Sequence, residues 1–324
     1  MNFNTPTEKK HANIPIFIPH EGCPNGCVFC SQKKITGSDE RADRNIIPEI
    51  EQALSTLDPE KYDTEIAFFG GSFTGIDRAV MERLLKDAYS FIKSGRVSSI
   101  RLSTRPDYIN EEILGILKNY GVVHIELGIQ SSDNAVLQAS KRGHTAETSL
   151  KACEMIVNSG FVLGGQMMIG LPKSTLKSEI DTAKMICSAG ASESRIYPTV
   201  VFRHTELCSM AQSGSYIPLS NDEAAVRAAE CYKIFMQNGV KVLRVGLQSS
   251  ENLHCENDVY GGANHPAMGE LCESKVYYGI ILDCVSEILS TYRGEKTLIL
   301  ECPYRDISKV SGQKKENKKA LLLF

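Results

Sequence analysis

Short apolar, β-rich runs alternate with stretches of helical period through the first two thirds of the chain. Ile14-Pro15-Ile16-Phe17-Ile18 predicts a first strand. A helix follows over Ile46 to Leu57, then a buried strand over Glu65 to Phe69 and a helix over Asp77 to Ile92. Ser98 to Thr104 reads as a strand, and Asn110 to Tyr120 as a helix with Asn110 as cap and Gly121 as stop. Val122 to Gly128 is the fourth strand, followed by helices near Asp133 to Ser140 and over Thr145 to Asn158. Phe161 to Ile169 is the fifth strand. The helix after it, Ser174 to Ala189, carries Leu176, Ile180, Ala183 and Cys187 on one face. Ser194 to Phe202 is the sixth strand. Such alternation implies a parallel sheet with right-handed crossovers. Polar motifs at the C-terminal ends of six strands point to an α/β fold, a partial (β/α)6 barrel of TIM type. The pattern also accommodates an open doubly wound sheet.

From His204 the alternation loosens. Asn221 to Gln237 predicts a helix, Val240 to Val245 a strand, and Met268 to Tyr292 a long amphipathic helix striped by Leu271, Tyr278, Ile281, Val285, Ile288 and Tyr292. Thr297 to Cys302 predicts a last strand. The expected organisation is a polar arm (1–13), a core (14–204), a small α+β extension on the barrel's open side (205–302) and a basic tail (303–324). That tail holds six Lys or Arg against two acidic residues, and is either solvated or a handle for a polyanion.

Composition changes this picture little. With 324 residues, 42% hydrophobic and 23% charged, the chain has the make-up of a globular protein. No run of eighteen apolar residues predicts a membrane span. Met1 to Asn13 is polar, which argues against export and for a cytoplasmic place. In that setting eleven cysteines read as reduced thiols rather than disulfides. A net charge of −3 gives no general basic field, though a local patch is allowed.

The chemistry concentrates in Gly22-Cys23-Pro24-Asn25-Gly26-Cys27-Val28-Phe29-Cys30. The CxxxCxxC spacing lets one short loop turn three thiolates toward a common point. Three cysteines can hold three irons of a [4Fe–4S] cluster and leave the fourth open. The competing reading is a zinc knuckle with His20 as fourth ligand. Gly70-Gly71-Ser72-Phe73-Thr74 follows a strand directly, and paired glycines let backbone approach a ligand. Ser103-Thr104-Arg105-Pro106-Asp107 ends the third strand, with Thr104 the ligand-facing candidate. His124, Glu126, Gly128 and Gln130 alternate, which puts them on one face, and a carboxylate and an amide there are costly unless they bind something. Glu126 and Gln130 are therefore candidates. Gln166 and Tyr197 point to the same cavity by the same argument. His254, Asn257, Asp258, Tyr260 and His265 form a polar loop that either closes the site or is solvated.

The CxxxCxxC spacing, with Phe29 just before the last cysteine, resembles the radical SAM enzymes. The resemblance implies a [4Fe–4S] cluster on Cys23, Cys27 and Cys30, with S-adenosylmethionine (SAM) chelated at the open iron and reductively cleaved to a 5′-deoxyadenosyl radical. It also implies the partial barrel, and places Phe29, Gly70, Gly71, Ser72, Thr104, Gln130 and Arg142 as cofactor contacts. In that family the Gly-Gly backbone holds the methionine amino group, and an Arg at the position of Arg142 meets the carboxylate. Glu126, Gln166 and Tyr197 are the candidates for catalytic roles.

The stretches His20-Glu21-Gly22-Cys23-Pro24, Phe69 to Thr74, Ser103 to Asp107, Glu126 to Ser131, Arg142-Gly143-His144, Gly170-Leu171-Pro172, Arg195 to Pro198 and Gly261 to Ala267 narrow the likeness. They resemble the radical SAM region of the Elongator catalytic-subunit family, over roughly residues 14 to 300. That family modifies wobble uridine in tRNA with SAM and acetyl-CoA. Its acetyltransferase domain follows the barrel, whereas this sequence ends at Phe324, so acetyl-CoA use is not expected. The reading is a radical SAM enzyme acting on RNA, with tRNA and an electron donor such as flavodoxin or ferredoxin as partners and no membrane. Its rivals are radical chemistry on a small or tetrapyrrole-like molecule, and a non-catalytic iron–sulfur redox sensor.

Overall fold

The computed structural model describes residues 9–18, 23, 26–31, 42–247, 258–291 and 299–322. Strands and helices alternate as β1 (Lys10–Ile18), α1 (Ile47–Ser55), β2 (Tyr62–Gly70), α2 (Arg78–Lys93), β3 (Ser99–Thr104), α3 (Glu111–Asn119) and β4 (Val122–Gln130). Then come α4 (Asn134–Ala139), α5 (Ala146–Asn158), β5 (Val162–Ile169), α6 (Leu176–Ser188) and β6 (Glu193–Pro198). Caps agree with the sequence: Asn110 accepts from the Ile113 N–H at 2.9 Å, and Gly121 ends the unit with φ 73°.

Seven strands make one parallel sheet in the order β1-β2-β3-β4-β5-β6-β8, where β8 is Lys241–Val245. Residues of both edge strands, His11 to Phe17 on one side and Lys241 and Leu243 on the other, line the same cavity. The sheet is therefore curled into a half-barrel. Period two sorts its faces. Ile14, Ile16 and Ile18, Ile66 and Phe68, Ile100 and Leu102, and Ile125 and Leu127 point outward into the core under the helices. Phe17, Phe69, Arg101, Ser103, His124, Glu126, Gln166, Glu193 and Arg195 face the cavity. Pro15, which lacks a donor, sits in an edge strand, where it costs least.

The partial barrel stands, with differences after β6. The sixth sequence segment splits at Thr199: β7 (Val200–Phe202) leaves the sheet and pairs antiparallel with β9 (Val259–Gly262). After α7 (Glu206–Gln212), helix α8 (Asn221–Gln237) returns the chain to lay β8 beside β6. The strand expected in an appended segment is thus the seventh strand of the barrel sheet. Helix α9 (Met268–Thr291) buries Leu271, Ile281 and Val285 as expected, but Cys272 and Val276 widen the stripe. The strand expected over Thr297 to Cys302 is absent in its described part: Ile299 is 80% exposed and no sheet edge lies beside it. The described part of the tail is helical, with most of its side chains exposed. Helices α10 (Ile307–Ser311) and α11 (Glu316–Leu321) pack on α9, with the Asn317 amide donating to the Ser274 carbonyl at 3.0 Å.

The face expected for α6 is also rotated. Leu176 is exposed, whereas Glu179, Ala183 and Ile186 are buried. The Glu179 carboxylate turns the helix inward: it accepts from the Gly170 N–H at 2.8 Å and from Arg227 of α8 at 2.5 and 2.7 Å. Breaking a buried pair leaves an uncompensated charge, at about 3–5 kcal/mol. Arg227→Met is expected to lose that much in urea denaturation. A loss below about 1 kcal/mol would show that the pair does not hold α6 and α8 together.

Candidate functional site

The described part of the cysteine loop is tied down by backbone. The Val28 N–H donates to the Ser140 carbonyl at 3.2 Å, the Leu207 N–H to the Val28 carbonyl at 2.9 Å, and the Cys30 N–H to the Cys27 carbonyl at 3.0 Å. Val28 packs with Val201, Leu207 and Tyr216, and Phe29 covers that cluster. Cys23, Phe29 and Cys30 line the cavity, while Cys27 is buried behind them. Burial pushes the Cys23 thiol up, against the pull of Arg105, Arg142 and a hydrogen bond from the Ser72 backbone.

The loops after β2 and β3 close on this end. Gly70 takes φ 111°, and a Cβ there would overlap the Ile18 carbonyl, which also accepts from the Gly71 N–H at 2.9 Å. Only glycine permits that approach. The Thr104 hydroxyl bonds those of Ser72 (2.9 Å) and Thr74 (2.6 Å), so Ser72 and Thr104 brace one loop against the other.

Three side chains mark the wall next to the cysteines. Gln130 ends β4 at a register shift with φ 68°, left-handed backbone that costs a non-glycine residue about 1 kcal/mol or more. Its Oε1 is buried with no hydrogen-bond partner. Arg105 grips Asp107 through Nε and Nη2 at 2.9 Å each and donates to the Arg142 carbonyl at 2.6 Å, while its Nη1 is buried without a partner. Each nitrogen of Arg142 makes one hydrogen bond: Nη2 to the Gly128 carbonyl at 2.7 Å, Nη1 to the Cys27 sulfur at 3.4 Å, Nε to the His144 Nε2 at 3.3 Å. Orphaned buried polar atoms are rare in folded proteins, and two of them belong to residues that line this one cavity.

Deeper in the barrel the walls are charged. Arg101 reaches Glu65 at 2.8 Å, Glu126 at 2.9 Å and Glu193 at 2.7 Å. Arg195 holds Glu126 at 2.8 Å, and the Gln166 amide donates to the same carboxylate at 3.0 Å. Burial pushes the Glu126 carboxyl up, but Arg195 and Arg101 outweigh it and hold Glu126 ionised. Glu65 is likewise resisted by burial yet held at about 2 by His124, at 2.5 Å, and by Arg101. Burial raises the Tyr197 phenol beside Arg195, so Tyr197 stays protonated.

The structure thus brings Cys23, Phe29, Cys30, Gly70, Gly71, Thr104, Glu126, Gln130, Arg142, Gln166 and Tyr197 to one cavity of about 1040 Å³, with Cys27 and Ser72 behind its wall. Sequence reasoning passed over Arg101, Arg105 and Arg195. The parity of β3 could have found the first two, since Arg101, Ser103 and Arg105 share the face opposite Ile100 and Leu102. Of the polar loop, Tyr260 and His265 lie away from the cavity lining; His254 and Asn257, like His20, are outside the described residues. Among the described residues, no three His, Cys, Asp or Glu side chains stand at metal-ligand spacing.

The radical SAM superfamily profile matches residues 17–186, and the radical SAM C-terminal domain profile matches residues 192–278. The chain belongs to the radical SAM superfamily. A tRNA uridine(34) acetyltransferase of Methanocaldococcus jannaschii is 26% identical over 274 residues, covering 72% of this chain and 50% of that protein. Mouse Elongator complex protein 3 is 27% identical over 233 residues, covering 63% of this chain and 42% of that protein. This radical SAM chain therefore spans about half the length of such relatives. The archaeal Elp3 of Methanocaldococcus infernus, solved with an N-terminal deletion (1–46), shares the fold. Its TM-score is 0.65 at 22% identity, covering 86% of this chain and 64% of that one. The family is one of enzymes that use a [4Fe–4S] cluster and SAM. The donor chemistry fits both: three soft thiols beside two guanidinium groups for an anionic cluster, and an unpaired guanidinium N–H and amide oxygen for a zwitterionic ligand. No helix among the described residues is long and apolar enough to cross a membrane.

Two shifted groups set the acid limb of stability. Burial, with the Arg142 charge, pushes His144 down to about 4, from 6.5. The unfolded chain therefore takes up that proton first, and stability falls as pH drops from about 6.5 to 4. At about 1.36 kcal/mol per unit this reaches about 3 kcal/mol at most. The Glu65 contribution, present above 4.5, is lost as pH falls from there toward 2. Urea midpoints across pH 4–7 should show the upper slope, and His144→Gln should flatten it. An unchanged slope in that variant would assign the loss elsewhere.

Proposed function

We propose that this protein is a radical SAM enzyme that modifies RNA, with tRNA as its substrate. The observation that carries the reading is that Cys23, Cys30, Arg105 and Gln130 line a single cavity, with Cys27 behind its wall and a buried atom without a partner on both Arg105 and Gln130. At about 1040 Å³ the cavity is at the top of the ~300–1,000 Å³ range of small-molecule sites, which leaves room for a nucleoside beside SAM. The names of the similar tRNA uridine(34) acetyltransferases support tRNA as the macromolecule.

Cys23, Cys27 and Cys30 hold the cluster in this reading. The cluster and SAM supply, when bound, a carbon-centred radical that abstracts a hydrogen atom from the substrate. The chain's own residues bind and orient. Arg105 pairs with the SAM carboxylate in this reading, because its buried Nη1 has no partner, whereas each nitrogen of Arg142 already holds one. Gly70 and Gly71 let the ligand reach backbone, and Gln130 offers its Oε1 to an ammonium or hydroxyl group. Ser72 and Thr104 keep the two loops in register, and Phe29 seals the cysteine loop. Glu126 is not a proton carrier: fixed by two arginines and Gln166, it positions Arg195 over the cavity. Tyr197 presents a protonated phenol to the substrate. The exposed Lys314, Lys315, Lys318 and Lys319 of the C-terminal tail are assigned to phosphate contacts in this reading. The electron comes from a donor of the flavodoxin or ferredoxin class.

The test is anaerobic. The reconstituted, reduced protein is given SAM, and 5′-deoxyadenosine is measured with and without bulk tRNA. Release that rises with tRNA is expected; release indifferent to tRNA would overturn the RNA reading in favour of a small substrate. Arg105→Lys loses the forked, charge-assisted contact, worth about 1.5–3 kcal/mol. Its SAM dissociation constant should therefore rise about tenfold or more, at about 1.4 kcal/mol per tenfold. An unchanged constant would return the carboxylate to another residue. Replacing the four tail lysines by Glu should weaken tRNA retention and flatten its salt dependence. Retention like that of the parent protein would remove the tail from the interface.

A further inference from the structure

We propose that Arg142, held by His144, sets the reduction potential of the cluster through a hydrogen bond to the Cys27 sulfur. The inference rests on the reading of Cys23, Cys27 and Cys30 as cluster ligands. It gives Arg142 a task different from carboxylate binding.

Geometry ties Arg142 to the cysteine loop. Its three nitrogens are committed to the Cys27 sulfur at 3.4 Å, the Gly128 carbonyl at 2.7 Å and the His144 ring at 3.3 Å. The side chain is buried, and among the described residues no carboxylate pairs with it. Among the described residues, the group that answers its charge is therefore the cysteine sulfur. A guanidinium removed from water with no carboxylate partner is costly unless an anion supplies the compensation.

His144 makes the arrangement one of position rather than chance. To accept from the Arg142 Nε–H, the His144 Nε2 must carry a lone pair. That puts the proton on Nδ1, which faces the Thr145 carbonyl at 3.3 Å and the Ser149 hydroxyl at 3.3 Å. A ring anchored at the start of α5 thus fixes one side of the guanidinium, and the β4 backbone at Gly128 fixes the other. A Cβ at Gly128 would stand 3.3 Å from Nη2 and crowd it. His144 is a positioning residue: it touches no cysteine and acts through Arg142.

The effect on redox follows from charge. Reduction passes one electron from the external donor to the cluster, with no bond made or broken, and adds one negative charge to the cluster and its sulfurs. A cationic donor on a ligating sulfur stabilises that form and raises the potential. Removing it should make the cluster harder to reduce.

The test uses the full chain, reconstituted without oxygen, with iron and sulfide counted before each titration. Midpoint potentials are then read from the paramagnetic signal of the reduced cluster against redox mediators. Arg142→Met should keep four irons and lose at least tenfold in the reduction equilibrium, a shift of about 59 mV for one electron toward negative potential. His144→Leu, which keeps the arginine but frees it, should shift the same way by less. His144→Gln, which restores an acceptor, should return toward the parent value. A full cluster at an unmoved potential in Arg142→Met would overturn the inference. If Arg142→Met fails to hold iron, His144→Leu decides alone, and an unmoved potential there overturns it. Failure of the ligand reading itself looks different, because the parent protein would then assemble no four-iron cluster.

Discussion

The structure depends on how a half-barrel pays for charge on its inner wall. Arg101, 3% exposed, stands between Glu65, Glu126 and Glu193, and so joins strands β2, β3, β4 and β6 from inside. Arg195 and Gln166 complete the shell of Glu126. Each carboxylate is costly alone; together with two guanidinium groups they are compensated. A closed barrel fills this space with apolar layers. Here the sheet stays open between β1 and β8, and the wall stays polar, leaving a cavity between the ionic layer and the cysteine loop.

That division separates scaffold from site. In the deep layer each carboxylate has a guanidinium partner, and Glu65 and Glu126 are held ionised. Toward the C-terminal ends of the strands, pairing is incomplete: Arg105 and Gln130 each keep a buried atom with no partner. Gln130 also adopts left-handed backbone at a register shift, a local strain of the kind that persists where surrounding structure imposes it. The strain turns its amide into the cavity beside the cysteine loop. Sulfur, cation and unpaired polar atoms thus come together at the wall to which the proposed reading assigns the cofactors.

Much of this was legible in the sequence, for local reasons. Period two on β4 put Glu126 and Gln130 on one face, and the triple-cysteine loop announced the chemistry. Parity along β3 was equally available, but the hydroxyl of Thr104 drew attention away from Arg105, which shares the inner face with Arg101. Other features need long-range facts. That Val242 pairs beside Ser194 depends on α8 packing, not on the strand's own residues. The rotated face of α6 follows from Arg227, nearly fifty residues away in sequence. Ile299 and Leu300 have the composition of a strand, yet no edge receives them, and β-propensity without a partner makes no strand. The engagement of Arg142 by Cys27 likewise appears only once two loops far apart in sequence are brought together.

The central claim is that the cysteine end of this cavity holds a cluster with a place for SAM beside it. Paramagnetic resonance of the reconstituted, reduced protein, recorded before and after SAM is added, tests it most directly. The account predicts a four-iron signal whose shape changes on SAM addition, because the ligand meets the open iron. A four-iron signal that SAM leaves unaltered, at concentrations that saturate related enzymes, would contradict it.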